Sequence, residues 1–136
     1  MEIPRPDRIR KINGGFAFIE HRFLRSGFFE ALTSNERTLY LFLLLVADRN
    51  GTSFYDYERI CKFTGLLLDD YVKARNCLID KDLIAFDGRV FQVLSLPSKP
   101  VKCKPTPSGV ATGAQDVAVQ FHDINQLLQK IGRKIL

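Results

Sequence analysis

Residues 32–97 read LTSNERTLYLFLLLVADRNGTSFYDYERICKFTGLLLDDYVKARNCLIDKDLIAFDGRVFQVLSLP, and their order of polar, apolar and turn residues decides the fold. Thr33-Ser34-Asn35-Glu36 has the form of a capping box, in which hydroxyl and carboxylate each take up a free backbone N–H at a helix start. The helix it opens runs through LYLFLLLVA and stops at Asn50-Gly51. Apolar on nearly every side, it is expected to form the centre of the core. Thr52-Ser53 can cap or precede a second helix, about Tyr55 to Phe63, and Thr64-Gly65-Leu66 makes a turn. A third helix is expected from about Leu68 to Lys81, with Asp69 and Asp70 in its first turn, where the helix dipole favours negative charge. Leu83–Phe86, Asp87-Gly88 and Arg89–Leu96 then read as strand, type I′ turn and strand.

Two helices meeting across a tight turn need a small residue at their approach. Four places later they need a residue tolerant of positive φ, and then inward apolar residues on the second helix. Cys61, Gly65, and Tyr71 with Ala74 meet these needs, and Ile60, Leu66 and Leu78 complete the packing. This is the spacing of a helix-turn-helix. The segment ARNCLIDKDLIAFDGRVFQVLSL (residues 74–96) resembles the end of a recognition helix running into the wing of the winged-helix family. In that family an L-x-x-x-G-L-I-like stretch opens the first wing strand, and Leu78 through Ile84 fits it with Asp82 in place of the usual glycine. The resemblance covers about residues 30–97. It implies a mainly α fold with a small β-hairpin wing (α+β) and has the look of bacterial regulators and replication-initiation modules.

What the resemblance implies for function is contact with double-stranded DNA. The third helix would enter the major groove with Leu67, Leu68, Asp69, Val72, Lys73 and Asn76. Lys73 can meet guanine or phosphate, Asn76 adenine, Leu68 a thymine methyl, and Asp69 the amino group of cytosine. Arg89 at the wing tip is placed for the minor groove or a phosphate, and Tyr55 and Lys62 for phosphates.

Charge qualifies this expectation. The 136 residues carry a net +5, yet residues 28–96 hold eight Lys/Arg against ten Asp/Glu. The positive excess lies entirely in the flanks. Affinity for DNA rests largely on neutralising phosphates, so the flanks are expected to contribute. Residues 1–15 form a basic arm whose Arg5, Arg8, Arg10 and Lys11 could lie in a minor groove. Phe16–Glu20 (FAFIE) could be a short strand, and His21–Ala31 is apolar enough to pack on the core as a helical turn. Together residues 16–97 make the winged domain.

Residues 98–115 read as a Pro-rich linker, and residues 116–136 as a closing helix. Val117, Phe121, Ile124, Leu128, Ile131 and Ile135 fall at 4-3-4-3-4 spacing on one stripe. That stripe could pair with its copy in a second chain, pack back on the winged domain, or bind another protein. A homodimer suits a DNA regulator, since two half-sites multiply specificity.

The three cysteines suit a reducing cytoplasm, with Cys61 and Cys77 as buried thiols and Cys103 in a loop. His21 and His122 lie too far apart for zinc-ligand spacing. The longest apolar run, Leu39–Ala47, has nine residues, against about 20 for a membrane span. Asp69-Asp70 and Asp80 with Asp82 have no histidine near, Gly14-Gly15 is followed by no G-x-x-x-x-G-K, and no nucleophile has a paired base. No enzyme activity, metal or cofactor is expected. The sequence thus points to a cytoplasmic bacterial protein of transcriptional control or replication initiation, with a mobile element as one setting. The alternative is an adaptor that assembles a complex through its C-terminal helix.

Overall fold

The structure, a computed structural model, describes residues 1–103. The stripe from Val117 to Ile135 lies outside them. After a 3-10 turn at Pro6–Arg8 come α1 (Arg22–Arg25), α2 (Ser34–Val46), β1 (Thr52–Ser53), α3 (Tyr57–Thr64), α4 (Leu68–Asp80), β2 (Ile84–Phe86) and β3 (Phe91–Val93). The FAFIE segment forms no strand.

Capping fixes the helix starts. Thr33 Oγ1 accepts from the Glu36 N–H and Glu36 Oε1 from the Thr33 N–H, both at 3.2 Å, which completes the capping box. Asp56, rather than Thr52 or Ser53, caps α3 by accepting from the Arg59 N–H at 2.9 Å. That helix therefore begins two residues later than its sequence suggested.

Three helices and the sheet close on one core. Leu39 and Leu43 of α2, Ile60 of α3, Tyr71 and Leu78 of α4, and Leu83, Ile84 and Phe91 of the wing are buried, each apolar side chain contributing roughly 1.5–3 kcal/mol. Before α2, Phe23, Phe28 and Leu32 seal the other side, with the Phe23 ring stacked 5.1 Å from that of Tyr40. The Arg22 guanidinium donates to the carbonyls of Leu96 and Pro97 at 3.1 and 2.9 Å, so the segment before α2 fastens the segment after β3. One expectation about α2 needs correcting. It is not apolar into the core on every side, because Leu41 and Leu45 stand 55% and 64% exposed.

A buried ion pair joins the two longest helices. Lys81 Nζ, just past α4, donates to Glu36 and to the Ala31 carbonyl, and both charged residues are buried. The carboxylate that completes the cap of α2 is thus also the partner of the lysine at the end of α4. At Asp82 the chain takes φ 63°, so the position that holds glycine in the winged-helix pattern keeps the left-handed conformation here. Aspartate tolerates that conformation better than most residues.

Thr52-Ser53 is the third strand of an antiparallel sheet ordered β1-β3-β2, with Ser53 opposite Phe91 and Phe86 also opposite Phe91 on the other side. Gly51 makes this strand possible. Its φ is 84°, its carbonyl accepts from the Val93 N–H, and a Cβ there would stand 2.6 Å from the Val93 carbonyl oxygen. Gly51→Ala is expected to destabilise the domain by more than about 1 kcal/mol, measured as a shift of the urea midpoint.

The wing turn also differs from expectation. Pairing ends at Phe86 opposite Phe91, which leaves a four-residue loop, and Asp87 lacks the positive φ that a type I′ turn requires. The Asp87 carboxylate instead accepts from the Arg89 and Val90 N–H groups at 2.9 and 2.8 Å. Those amides hold the Asp87 pKa below its ordinary 3.8. The carboxylate's support for the loop is whole above that value and is lost as pH falls through the lower folded one. The Arg89 and Val90 amide resonances should titrate together with a midpoint below 3.8, and both titrations should vanish in Asp87→Asn.

The cysteines are a further correction. Cys77 and Cys103 form a disulfide with a Cα–Cα distance of 5.1 Å, and Cys61 alone is a free thiol among the described residues. Spacing along the chain could not show this pair, because 26 residues separate them and the wing folds in between.

Candidate nucleic-acid interface

The turn between α3 and α4 is built as its sequence requires. Gly65 ends α3 at φ 80°, and its N–H donates to the Cys61 carbonyl at 2.8 Å. Thr64 Oγ1 donates to the Ile60 carbonyl at 2.7 Å and accepts from the Leu66 N–H at 3.3 Å. With these bonds closed the chain re-enters a helix at Leu68.

On α4, Tyr71, Val72, Ala74, Arg75 and Leu78 are buried, while Asp69, Lys73 and Asn76 are exposed. Steps of four and three residues set those three on one outward stripe. Val72, 3% exposed, faces the core and cannot enter a groove; Leu68 is half-buried against the core, and exposed Leu67 precedes the helix.

Arg75 is the residue that sequence reasoning missed. Although 4% exposed, its guanidinium lies 5.3 Å from the Phe86 ring centroid and 5.7 Å from that of Tyr71. It also donates to Asn76 Oδ1 at 3.0 and 3.2 Å. An arginine spanning a helix and a strand thereby settles the orientation of the exposed amide beside it. Nothing local in the sequence marks this role, since Phe86 reaches Arg75 only once the wing has folded back.

At the other edge, Arg89 stands 4.9 Å over the exposed ring of Phe54, and Arg59 4.6 Å over Tyr55. These residues, with Tyr57, Tyr71 and Gly88, line an open cleft of about 700 Å³ between the wing and the start of α3. Tyr55 is half-buried, its ring edge-on to Phe42 at 5.4 Å and to Phe63 at 6.3 Å, so it packs on α2 as well as lining the cleft. Lys62 is exposed on α3. Phe54 and Arg59 were not singled out from sequence; the run of aromatic residues Phe54, Tyr55 and Tyr57 leading to Arg59 was the available signal.

The electrostatics leave this face short of positive charge. With Lys81, Glu36 and Arg75 buried, residues 28–96 show six cations to solvent against nine acids. In the arm, Arg5 grips Asp7 in a bidentate pair at 2.9 and 3.0 Å, which raises the pKa of the one and lowers that of the other. Arg8, Arg10 and Lys11 are exposed. Arg10 lines a second, apolar groove of about 960 Å³ with Phe16, Phe18, Leu24, Leu41 and Leu44, apart from the wing cleft. Among the described residues no cluster of His, Cys, Asp and Glu could hold a metal ion, and no helix is long and apolar enough to cross a membrane.

A family model described as a helix-turn-helix domain matches residues 30–84. The match, 55 of the 136 residues, supports a helix-turn-helix family for this part of the chain. The match ends as β2 begins, and the three-stranded sheet of β1, β2 and β3 is consistent with the winged type of this helix-turn-helix domain. A helix-turn-helix domain suggests DNA as the partner. No curated protein and no solved structure matches the chain.

Proposed function

We propose that this chain binds double-stranded DNA through its winged helix-turn-helix domain, as a homodimer in the bacterial cytoplasm, in transcriptional control or replication initiation. The observation that carries the reading is the outward stripe of α4. Asp69, Lys73 and Asn76 share one face of the second helix of the motif, and Arg75 holds the amide of Asn76 in place. Lys73 and Asn76 read base edges, while Arg89 and Arg59 at the wing cleft meet phosphates, with Lys62 beside them. The arm cations Arg8, Arg10 and Lys11 add to the phosphate contacts that the acidic domain lacks.

The apolar groove supports a two-chain assembly. Its wall includes Phe16 and Phe18, 69% and 75% exposed. An exposed apolar face can meet its own copy about a two-fold axis. The same face favours the adaptor as the second reading, in which another protein fills it.

Selection of bound sequences from a random duplex pool at two salt concentrations tests the proposal. Enrichment of a motif, with affinity falling steeply as salt rises, is expected. Absence of enrichment together with absence of retardation at low salt would overturn DNA binding and favour the adaptor. Sedimentation of the full chain tests the dimer: Phe18→Asp should convert it to monomer, and a monomeric parent would overturn that part.

A further inference from the structure

We infer that Cys77 and Cys103 form a reversible redox site that opens and closes the DNA-reading face of α4, an inference that rests on the proposed DNA contact. Cys77 is half-buried and lies four residues after Lys73 and next to Asn76, at the edge of the outward stripe. Its disulfide brings in Cys103, ten residues beyond β3, and the Cys103 sulfur lies 3.7 Å from an Asp80 carboxylate oxygen one turn further along. The chain at residue 103 is thus pinned across the C-terminal half of the helix. A helix with its side chains is about 10–12 Å across, and the major groove is about 12 Å wide. The groove has no room for α4 and a second segment fastened along the same face. In the oxidised chain α4 cannot seat past Lys73; reduction releases residue 103 and frees the stripe.

Position along the chain marks the pair as the part that can be released. Arg22 holds the carbonyls of Leu96 and Pro97, a contact that survives cleavage of the bridge. Among the described residues, 101–103 are the part that cleavage leaves to move. Cys61 takes no part: it sits on α3, and burial pushes its thiol up, away from the reactive thiolate.

The chemistry needs a small disulfide of the oxidised-glutathione class as two-electron oxidant. One protein thiolate attacks a sulfur of that disulfide, forming a mixed disulfide and expelling one small thiolate. The second protein thiolate then attacks the protein-side sulfur of the mixed disulfide. This forms the Cys77–Cys103 bond and expels the second small thiolate. Two protein thiols are oxidised and one small disulfide is reduced to two thiols; the small thiol reverses both steps.

The test uses the full chain equilibrated in glutathione buffers of graded oxidised-to-reduced ratio. Thiols are trapped with iodoacetamide and counted by mass. Affinity of each form for a duplex from the selected pool is read by fluorescence anisotropy. The bridge is expected in the oxidising buffers, with at least tenfold tighter duplex binding by the reduced chain. Cys103→Ser should bind like the reduced chain in every buffer, and Cys61→Ser should keep the full response. Absence of the bridge in oxidising buffer overturns the inference, as does a bridged chain that binds as tightly as the reduced one. If neither form nor Cys103→Ser binds any duplex while the bridge does form, the DNA reading itself fails and the gating with it.

Discussion

Lys81→Met is expected to cost about 3–5 kcal/mol, because it strips a buried carboxylate of its only charged partner among the described residues and leaves that charge uncompensated. Glu36 and Lys81 are 4% and 8% exposed, and Lys81 also holds the Ala31 carbonyl at 2.8 Å. Chemical denaturation should show the loss as a lower midpoint with an unchanged slope. The double variant Glu36→Gln, Lys81→Met should recover much of it, because an amide can stay in the capping box without a buried charge. If the single variant loses less than about 1 kcal/mol, water reaches the pair and it is not a buried bridge.

Lys73→Ala is expected to weaken duplex binding about 5- to 150-fold, the roughly 1–3 kcal/mol of a good base contact. Where the lysine meets a guanine, the selected motif should lose its preference at one position. Where it meets a phosphate, affinity should fall equally on all sequences and the salt dependence should drop by about one unit. Arg75→Lys adds a second handle. It keeps the charge but loses the fork that orients Asn76, so preference at the Asn76 position should relax while the salt dependence stays as it was. An unchanged motif together with unchanged affinity in both variants would remove the outward stripe of α4 from the interface.

What could be read from the sequence was whatever depends on neighbours along the chain. The capping box at Thr33, the stop at Gly65 and the extent of α4 each arise within a few residues, and the structure places them as read. The Asp82 departure from the winged-helix glycine was also legible, and its φ of 63° supplies the reason. What escaped was whatever depends on residues that meet only after folding. Thr52-Ser53 is too short to announce a strand and becomes one because β3 offers it an edge. Asp87 could have made a type I′ turn, but its carboxylate found two amides instead. Val72 looked outward when the helix was read as a surface, and the core decided otherwise. The disulfide and the Arg75 contact with Phe86 are long-range in the same sense. Of the candidate site, Lys73, Asn76, Lys62 and Arg89 stand exposed on the motif and wing. Arg59, Phe54 and Arg75 come from the structure alone.

The grip of Arg22 on Leu96 and Pro97 has a practical consequence for anyone cutting the gene into pieces. The matched family segment begins at residue 30 and ends at 84. A fragment with those limits would leave out β3 with Phe91, along with Phe23 and Phe28, all buried in the whole chain. A fragment begun at 30 but carried through 97 would still leave two carbonyls without their donor. The smallest piece that keeps these contacts runs from about residue 20 to residue 97. An expression library designed on the family boundaries would return aggregates and be mistaken for evidence that the domain is unstable.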